Sequence, residues 1–388
     1  TLDTAAERTS NIYTWNRTTK AAVPLAWTNL DAGQQTALGG AGPGGNIINW
    51  LKGNTVAGLR AHSTKGLMGD VLNSDPVFLS YINSGYKLLP ASNMGSCSIA
   101  GDYSSASGAG CTGAEIYQAY VDAKKSRPPM IFVGANDGML HAFNASDGAE
   151  TLAFLPAAVY RDWDDLNNDG IDNDGATSFE NKLANLTTLS YDHRYFVDGS
   201  LTAGDAFIGS TWNTYLVGAL GRGGRSVFAI DVTDTSYTAG DIKWEFTHQN
   251  MGYTYGKPIV ARLADNKWYA IVPNGLDSNQ DKASVFVINL ANPLDYHELT
   301  TTVGSPAVPN GMMVTQVRVN STRTVTDIYA GDMRGNLWKF DVYNEGTGNV
   351  QWPSGSLLFT AGDGTTGTPQ SITGGIRVGK HPGGYGSL

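Results

Sequence analysis

Apolar residues alternate with others in four short strings that each end on Asp or Asn: Leu140-His-Ala-Phe-Asn144, Val227-Phe-Ala-Ile-Asp231, Val285-Phe-Val-Ile-Asn289 and Leu337-Trp-Lys-Phe-Asp341. Upstream of each lies a second apolar string: Met130-Ile-Phe-Val-Gly134, Thr214-Tyr-Leu-Val-Gly218, Trp268-Tyr-Ala-Ile-Val272 and Asp327-Ile-Tyr-Ala-Gly331. A period of two predicts strands, and each pair predicts a hairpin. In the first and last pairs, Asn136-Asp-Gly138 and Met333-Arg-Gly-Asn336 supply the Gly and Asn that tight turns need at positive φ.

A third strand, preceded by or containing Pro or Gly, is predicted earlier in each unit, as in Asp75-Pro-Val-Phe-Leu79, Phe196-Val-Asp-Gly-Ser200 and Gly256-Lys-Pro-Ile-Val260. Three or four antiparallel strands per unit make a propeller blade, so the chain reads as an all-β propeller array. Partial units are expected before Asp75 and from Pro369-Gln-Ser-Ile-Thr373 onward, the latter cut off at Leu388, which implies a longer natural chain. One helix is marked. Thr112 and Glu115 form a capping box, Ile116, Tyr117, Tyr120 and Val121 share a face, and Pro128 follows. The expected organisation is one propeller domain over 1–388, with 1–66 a lead-in segment carrying the first blade elements and 67–388 the remaining blades, the last truncated.

Composition agrees. Gly supplies 48 of 388 residues, and the charged fraction is 16%, against roughly 25% in ordinary soluble domains. A net charge of −9 gives no general attraction to nucleic acid or an anionic membrane. No apolar run approaches the roughly 18 residues that span a bilayer, and Thr1 does not begin a signal peptide, so the chain reads as a soluble fragment or mature product.

Cys97 and Cys111 are the two cysteines, bracketing a loop of Gly, Ser and Ala with little to pack. A disulfide there would contribute about 3 kcal/mol and would point to an oxidising compartment; two free thiols are the alternative.

The sharpest chemical motif lies in the acidic stretch between the first two units. Asp165, Asn167, Asp169 and Asn173 fall at positions one, three, five and nine of an EF-hand-like loop, with Gly170 at six and the Ile171 carbonyl at seven. Position twelve is Ala176, so the usual bidentate Glu is missing; Asp174, Asp172, Glu180, Asp162 or Asp164 are the available substitutes. Oxygen-only donors favour Ca²⁺ over zinc. The alternative is a solvated acidic loop. Asp277, Asn279 and Asp281 repeat the spacing with Lys282 in the Gly position, which favours an Asx-capped turn over a second metal site.

No catalytic constellation stands out. The six His residues lack metal-ligand spacing with one another, and neither Cys has nucleophile context. Gly221-Arg-Gly-Gly-Arg225 sits inside a hairpin, so it reads as a flexible turn and not a phosphate loop. His141, on a strand, reads as a packed side chain.

The string Pro129-Met-Ile-Phe-Val-Gly-Ala-Asn-Asp-Gly-Met-Leu-His-Ala-Phe143 resembles the signature strand pair of the PilC/PilY family of type IV pilus biogenesis factors. Four further strings match in order: Leu67 to Val77, His193 to Gly199, Gly252 to Pro258 and Tyr329 to Asp341. The resemblance runs from about Trp15 to His381. It implies a modified seven-bladed propeller with quinoprotein-like blades and one or two short helices, at the C-terminal half of a larger secreted protein. It implies a non-enzymatic adhesin at the pilus tip, passing through periplasm and outer membrane during assembly. Minor pilins and a host or abiotic surface ligand would be its partners, and calcium-dependent pilus extension, adhesion and twitching its work.

Two departures limit the transfer. Where the family often has a calcium loop before the Tyr-Ala-Gly-Asp strand, this chain reads Asn320-Ser-Thr-Arg-Thr-Val-Thr-Asp327, and no Arg-Gly-Asp tripeptide occurs. The rival readings are a pyrroloquinoline quinone dehydrogenase, which would show repeated Trp-docking motifs and adjacent cysteines that are missing here, and a generic outer-membrane interaction propeller.

Overall fold

Strands form where the paired apolar strings lie. The computed structural model describes the chain except residues 1, 3, 65, 90–112, 162–181, 305, 306, 366 and 380–388. A first sheet contains β1 (Ile12–Asn16), β2 (Ala21–Pro24), β3 (Val77–Leu79), β4 (Met130–Gly134), β5 (Leu140–Asn144) and β6 (Glu150–Leu155). Its order is β2-β1-β6-β5-β4-β3, an antiparallel meander from β3 to β6 to which β1 adds in parallel, pairing Ile12 with Ala153 and Thr14 with Leu155. The segment before Asp75 therefore extends this blade instead of starting a separate one.

Three four-stranded sheets follow in sequence order. They are β7 (Leu201–Ile208) to β10 (Ile242–Phe246), β11 (Ile259–Arg262) to β14 (Tyr296–Gly304), and β15 (Met312–Val319), β16 (Val325–Asp332), β17 (Asn336–Asp341) and β20 (Ser356–Thr360). The inner strands are β8 (Thr211–Ala219), β9 (Val227–Asp231), β12 (Trp268–Pro273) and β13 (Lys282–Asn289), and β18 (Tyr343–Asn344) with β19 (Asn349–Val350) makes a small hairpin. The alternation suggested by sequence survives in β17. By contrast, β9 and β13 are buried on nearly every residue, which explains their Val, Ile and Phe content.

Contacts divide the chain into two compact units, and the division cuts β7 and β8. The first comprises Thr1–Tyr81, Arg127–Ala203 and Leu216–Tyr255; its buried side chains include Phe132, Phe154, Phe228 and Trp244. The second comprises Ile82–Ser126, Gly204–Tyr215 and Gly256–Leu388, with a core of Tyr269, Ile271, Val285, Val287, Ile328, Trp338 and Phe340.

Two strand expectations are corrected. Phe196–Ser200 is not a strand; β7 starts at Leu201, because Phe196 and Val197 bond to the β4–β5 turn instead of to a neighbouring strand. Residues 369–373 begin no sheet among the described residues: the Ile372 N–H donates to the Asp332 carbonyl at 2.9 Å, and Ser371 Oγ to Met333 O at 2.6 Å.

The α-helices are α1 (Ala32–Ala37), α2 (Ala41–Leu51), α3 (Gly113–Lys124) and α4 (Lys182–Asn185). Sequence marks only α3. Helix α1 does carry a readable signal, since Asp31 and Gln34 form a capping box. Helix α2 begins Ala-Gly-Pro-Gly-Gly and is held by burying Ile47, Ile48, Trp50 and Leu51, so packing overrides weak propensity there.

Candidate functional site

Three of the five signature strings converge on the β4–β5 turn of the first unit. Gly138 takes φ +98° there, so the two strands reverse tightly. The Asn136 N–H donates to Asp70 O at 3.0 Å and its amide to Asp70 Oδ2 at 3.1 Å, while the Phe196 N–H donates to Asn136 Oδ1 at 2.9 Å. The Gly134 N–H donates to Ser74 Oγ at 2.9 Å, and Asn73 donates from its backbone and side chain to Asp198. His193 Nε2 lies 2.9 Å from Asp70 Oδ2. Leu67–Val77 and His193–Gly199 are thus straps over one turn.

Beneath the straps lies a buried charge cluster. His141 is fully buried; its Nδ1 lies 2.7 Å from Glu150 Oε1 and its Nε2 3.1 Å from Asp137. Arg8 reaches Glu150 at 3.6 Å and Asp137 at 3.9 Å, and the Thr9 N–H donates to Glu150 Oε2 at 2.9 Å. Burial disfavours the imidazolium, but the Asp137 charge and the hydrogen bonds that Asp137 and Glu150 accept outweigh it and raise the His141 pKa. Asp137 is held low: burial opposes its charge, and His141, Arg8 and the Gly69 N–H overcome that. Two cations balance two carboxylates only while His141 is protonated. The cluster fastens the N-terminal segment to β5 and β6, and its side chains, at most 8% exposed, present no open face to a substrate.

At the position His141 holds in its string, the other three strings place Phe228, Phe286 and Trp338, all buried. In the second unit, Trp338 Nε1 donates to Asp332 Oδ2 at 2.8 Å, alongside the Asn310 amide at 2.8 Å, the Asn336 amide and the Arg334 and Asn336 N–H groups. A ring nitrogen facing a carboxylate at the hairpin turn therefore recurs, an indole in one sheet and an imidazole in the other. Sequence reading placed His141 as packed but missed its ionic partners, because Arg8 and Glu150 are distant from the string or on another strand.

The second unit also contains a carboxylate clamp for α3. Lys124 Nζ lies 2.6 Å from Asp205 Oδ1; Thr214 Oγ1 at 2.9 Å, Tyr117 OH at 2.6 Å and Ser84 Oγ at 3.2 Å donate to the same carboxylate. Rings of Tyr86, Tyr117, Tyr120, Phe207, Trp212 and Trp268 pack around it at centroid spacings of 4.6 to 6.4 Å.

The residues proposed from sequence for calcium, Asp165, Asn167, Asp169, Ile171, Asn173 and Asp174, lie outside the described residues, as do Cys97 and Cys111. Asp277, Asn279 and Asp281 form the β12–β13 connection, with Asp277 at φ +59° and Asp281 at φ +49°, and the Asp281 N–H donating to Ser278 O at 2.9 Å. Among the described residues no three His, Cys, Asp or Glu side chains gather as a metal site would require, and no helix is long and apolar enough to cross a membrane. Gly221–Arg225 is the β8–β9 connection. Gly223 there is packed so closely that a Cβ would lie 1.5 Å from Phe196 O, and Lys182 Nζ donates to the Gly223 carbonyl.

The family model for the PilY1 beta-propeller domain matches residues 100–355. The type IV pilus biogenesis factor PilY1 of Pseudomonas aeruginosa strain PAK is 34% identical over 342 residues, covering 82% of this chain and 25% of that protein. A PilY1 homolog of Xylella fastidiosa strain Temecula1 is 35% identical over 317 residues, covering 79% and 22%. The chain thus spans about a quarter of the length of these curated relatives. The crystal structure of the Pseudomonas aeruginosa PilY1 C-terminal domain aligns with a TM-score of 0.53 and 33% identity over 70% of this chain and 54% of that one. With blade-like four-stranded sheets, signature strings folded around shared turns, and identity sustained over most of its length, the chain belongs to the PilY1 β-propeller family.

Proposed function

We propose that this chain is the propeller of a secreted type IV pilus tip adhesin, a non-enzymatic part that supports pilus extension against retraction, adhesion and twitching, through contact with minor pilins and a surface ligand. The observation that carries the reading is the similarity to pilus biogenesis factors over 82% of the chain. A non-catalytic role is supported by how the buried charged groups are used: Arg8, Asp137, His141 and Glu150 bind one another, and Lys124 binds Asp205, as structural ties. The test is deletion of the region 1–388 from the parent protein in its own host, with surface pili counted and twitching zones measured. Loss of both, restored by the intact protein, is expected; normal piliation and twitching after deletion refute the role.

Calcium belongs to this proposal. Asp162, Asp164, Asp165, Asp169, Asp172 and Asp174 lie in one short stretch without a Lys or Arg, and a dication relieves their mutual repulsion. Since Ala176 cannot act as the bidentate ligand, affinity is expected in the range of about micromolar to millimolar. Calorimetric titration of the wild type beside Asp165→Ala and Asp169→Ala checks it: both variants are expected to bind more weakly, and equal binding means a merely solvated loop.

A further inference from the structure

Beside helix α2, in the first unit, lies an open cavity of about 540 Å³ lined by Asn46, Asn49, Asn54, Thr55, Val56 and Ala57. Its base is fixed. Ile47, Ile48, Trp50 and Leu51 of the helix are buried, Trp50 Nε1 donates to the Arg60 carbonyl, and the His62 ring stacks on Trp50 at 4.4 Å and 20°. After the helix, the Gly53 N–H donates to Trp50 O at 2.8 Å and the Asn54 N–H to Asn49 O at 3.1 Å, so the loop that forms the far wall leaves the helix in a defined direction. The Asn54 side-chain amide donates to the same Asn49 carbonyl at 3.2 Å, and among the described residues its Oδ1 has no donor.

Asn46 and Asn49 are one turn apart and share a helix face. Both are exposed, and among the described residues neither side-chain amide has a protein partner. Each amide offers a carbonyl acceptor and an NH₂ donor, the pairing that adjacent sugar hydroxyls use in reverse. No Lys, Arg, Asp or Glu lines the cavity, which selects against charged ligands; Val56 and Ala57 give an apolar strip for the C–H face of a ring. The volume falls in the range of roughly 300–1,000 Å³ typical of small-molecule sites.

We infer that this cavity is a binding site for a neutral mono- or disaccharide, held by the amides of Asn46, Asn49 and Asn54. The site does not depend on the pilus assignment or on calcium, and it supplies a ligand chemistry that the acidic loop cannot. The experiment is saturation-transfer NMR followed by calorimetry, using the 388-residue chain with glucose, galactose, mannose and N-acetylglucosamine at millimolar concentration. Asn46→Ala/Asn49→Ala removes the two free amides from an exposed helix face, and Ala57→Trp fills the cavity without touching the helix; unfolding midpoints monitor the fold of both. At least one sugar is expected to bind the wild type, with affinity weakened by about tenfold or more in each variant, the scale of one or two lost hydrogen bonds. Absence of binding by all four sugars, or equal binding by the folded variants, overturns the assignment.

Discussion

Replacing Lys124 by Met removes the one ammonium from the clamp on α3 while keeping a long, flexible side chain. Asp205 is fully buried and Lys124 is 5% exposed, with 2.6 Å between Nζ and Oδ1. Breaking a buried pair by deleting one partner typically costs about 3–5 kcal/mol, because the remaining charge is left without its counterion. Thr214, Tyr117 and Ser84 still donate to the carboxylate, which places the expected loss near the lower end, about 3 kcal/mol. Loss of the ammonium at 4.1 Å from the Tyr120 ring acts in the same direction. Burial, and then the Asp205 charge, push the Tyr117 phenol well above its ordinary range, so it stays a donor at any working pH. In an Asp205→Asn background Lys124 is itself the buried charge without a counterion, so the same Lys124→Met change is expected to cost nothing or to stabilise. Urea unfolding followed by tryptophan fluorescence reads both, since Trp212 packs 4.6 Å from the Tyr117 ring and 5.7 Å from Trp268. A cost below about 1 kcal/mol for Lys124→Met alone, or equal costs in the two backgrounds, refutes the reasoning.

The His141 cluster predicts a pH dependence of opposite sign to acid denaturation. Because the folded imidazole pKa is raised, its stabilisation is fully present below the unfolded value of about 6.5 and is lost as pH rises through the folded value. Denaturant midpoints at about pH 6 and about pH 9 are expected to differ more for the wild type than for His141→Gln, and equal differences would contradict the charge pairing. Gly223→Ala is expected to destabilise by about 2 kcal/mol or more, since its Cβ has no space against Phe196; an unchanged melting temperature would restore the flexible-turn reading.

Local pattern determined a good deal. The alternating strings and their Gly-Asn turns place β4, β5, β9, β12, β16 and β17 within a residue or two, because a strand pair joined by a short turn is specified by neighbours in the chain. The capping box and apolar face likewise predicted α3, and the five signature strings pointed to the family. In the candidate site, sequence supplied His141 and the Asn136–Gly138 turn but not their purpose.

Tertiary structure decided the rest, and the reason is distance along the chain. Arg8 meets Asp137 and Glu150 only because β1 joins β6 in parallel, a pairing between segments more than a hundred residues apart that no local period encodes. Asp205 reads as an ordinary strand residue until α3 brings Lys124 and Tyr117 to it from another part of the sequence. Phe196-Val-Asp reads as a strand, yet the Phe196 and Val197 N–H groups go to the β4–β5 turn and the Asp198 N–H to Leu220 O in the β8–β9 connection, since a strand forms only when a neighbouring strand accepts its hydrogen bonds. Periodicity fixes which residues face inward; what they meet there is set by the long-range packing that buries them.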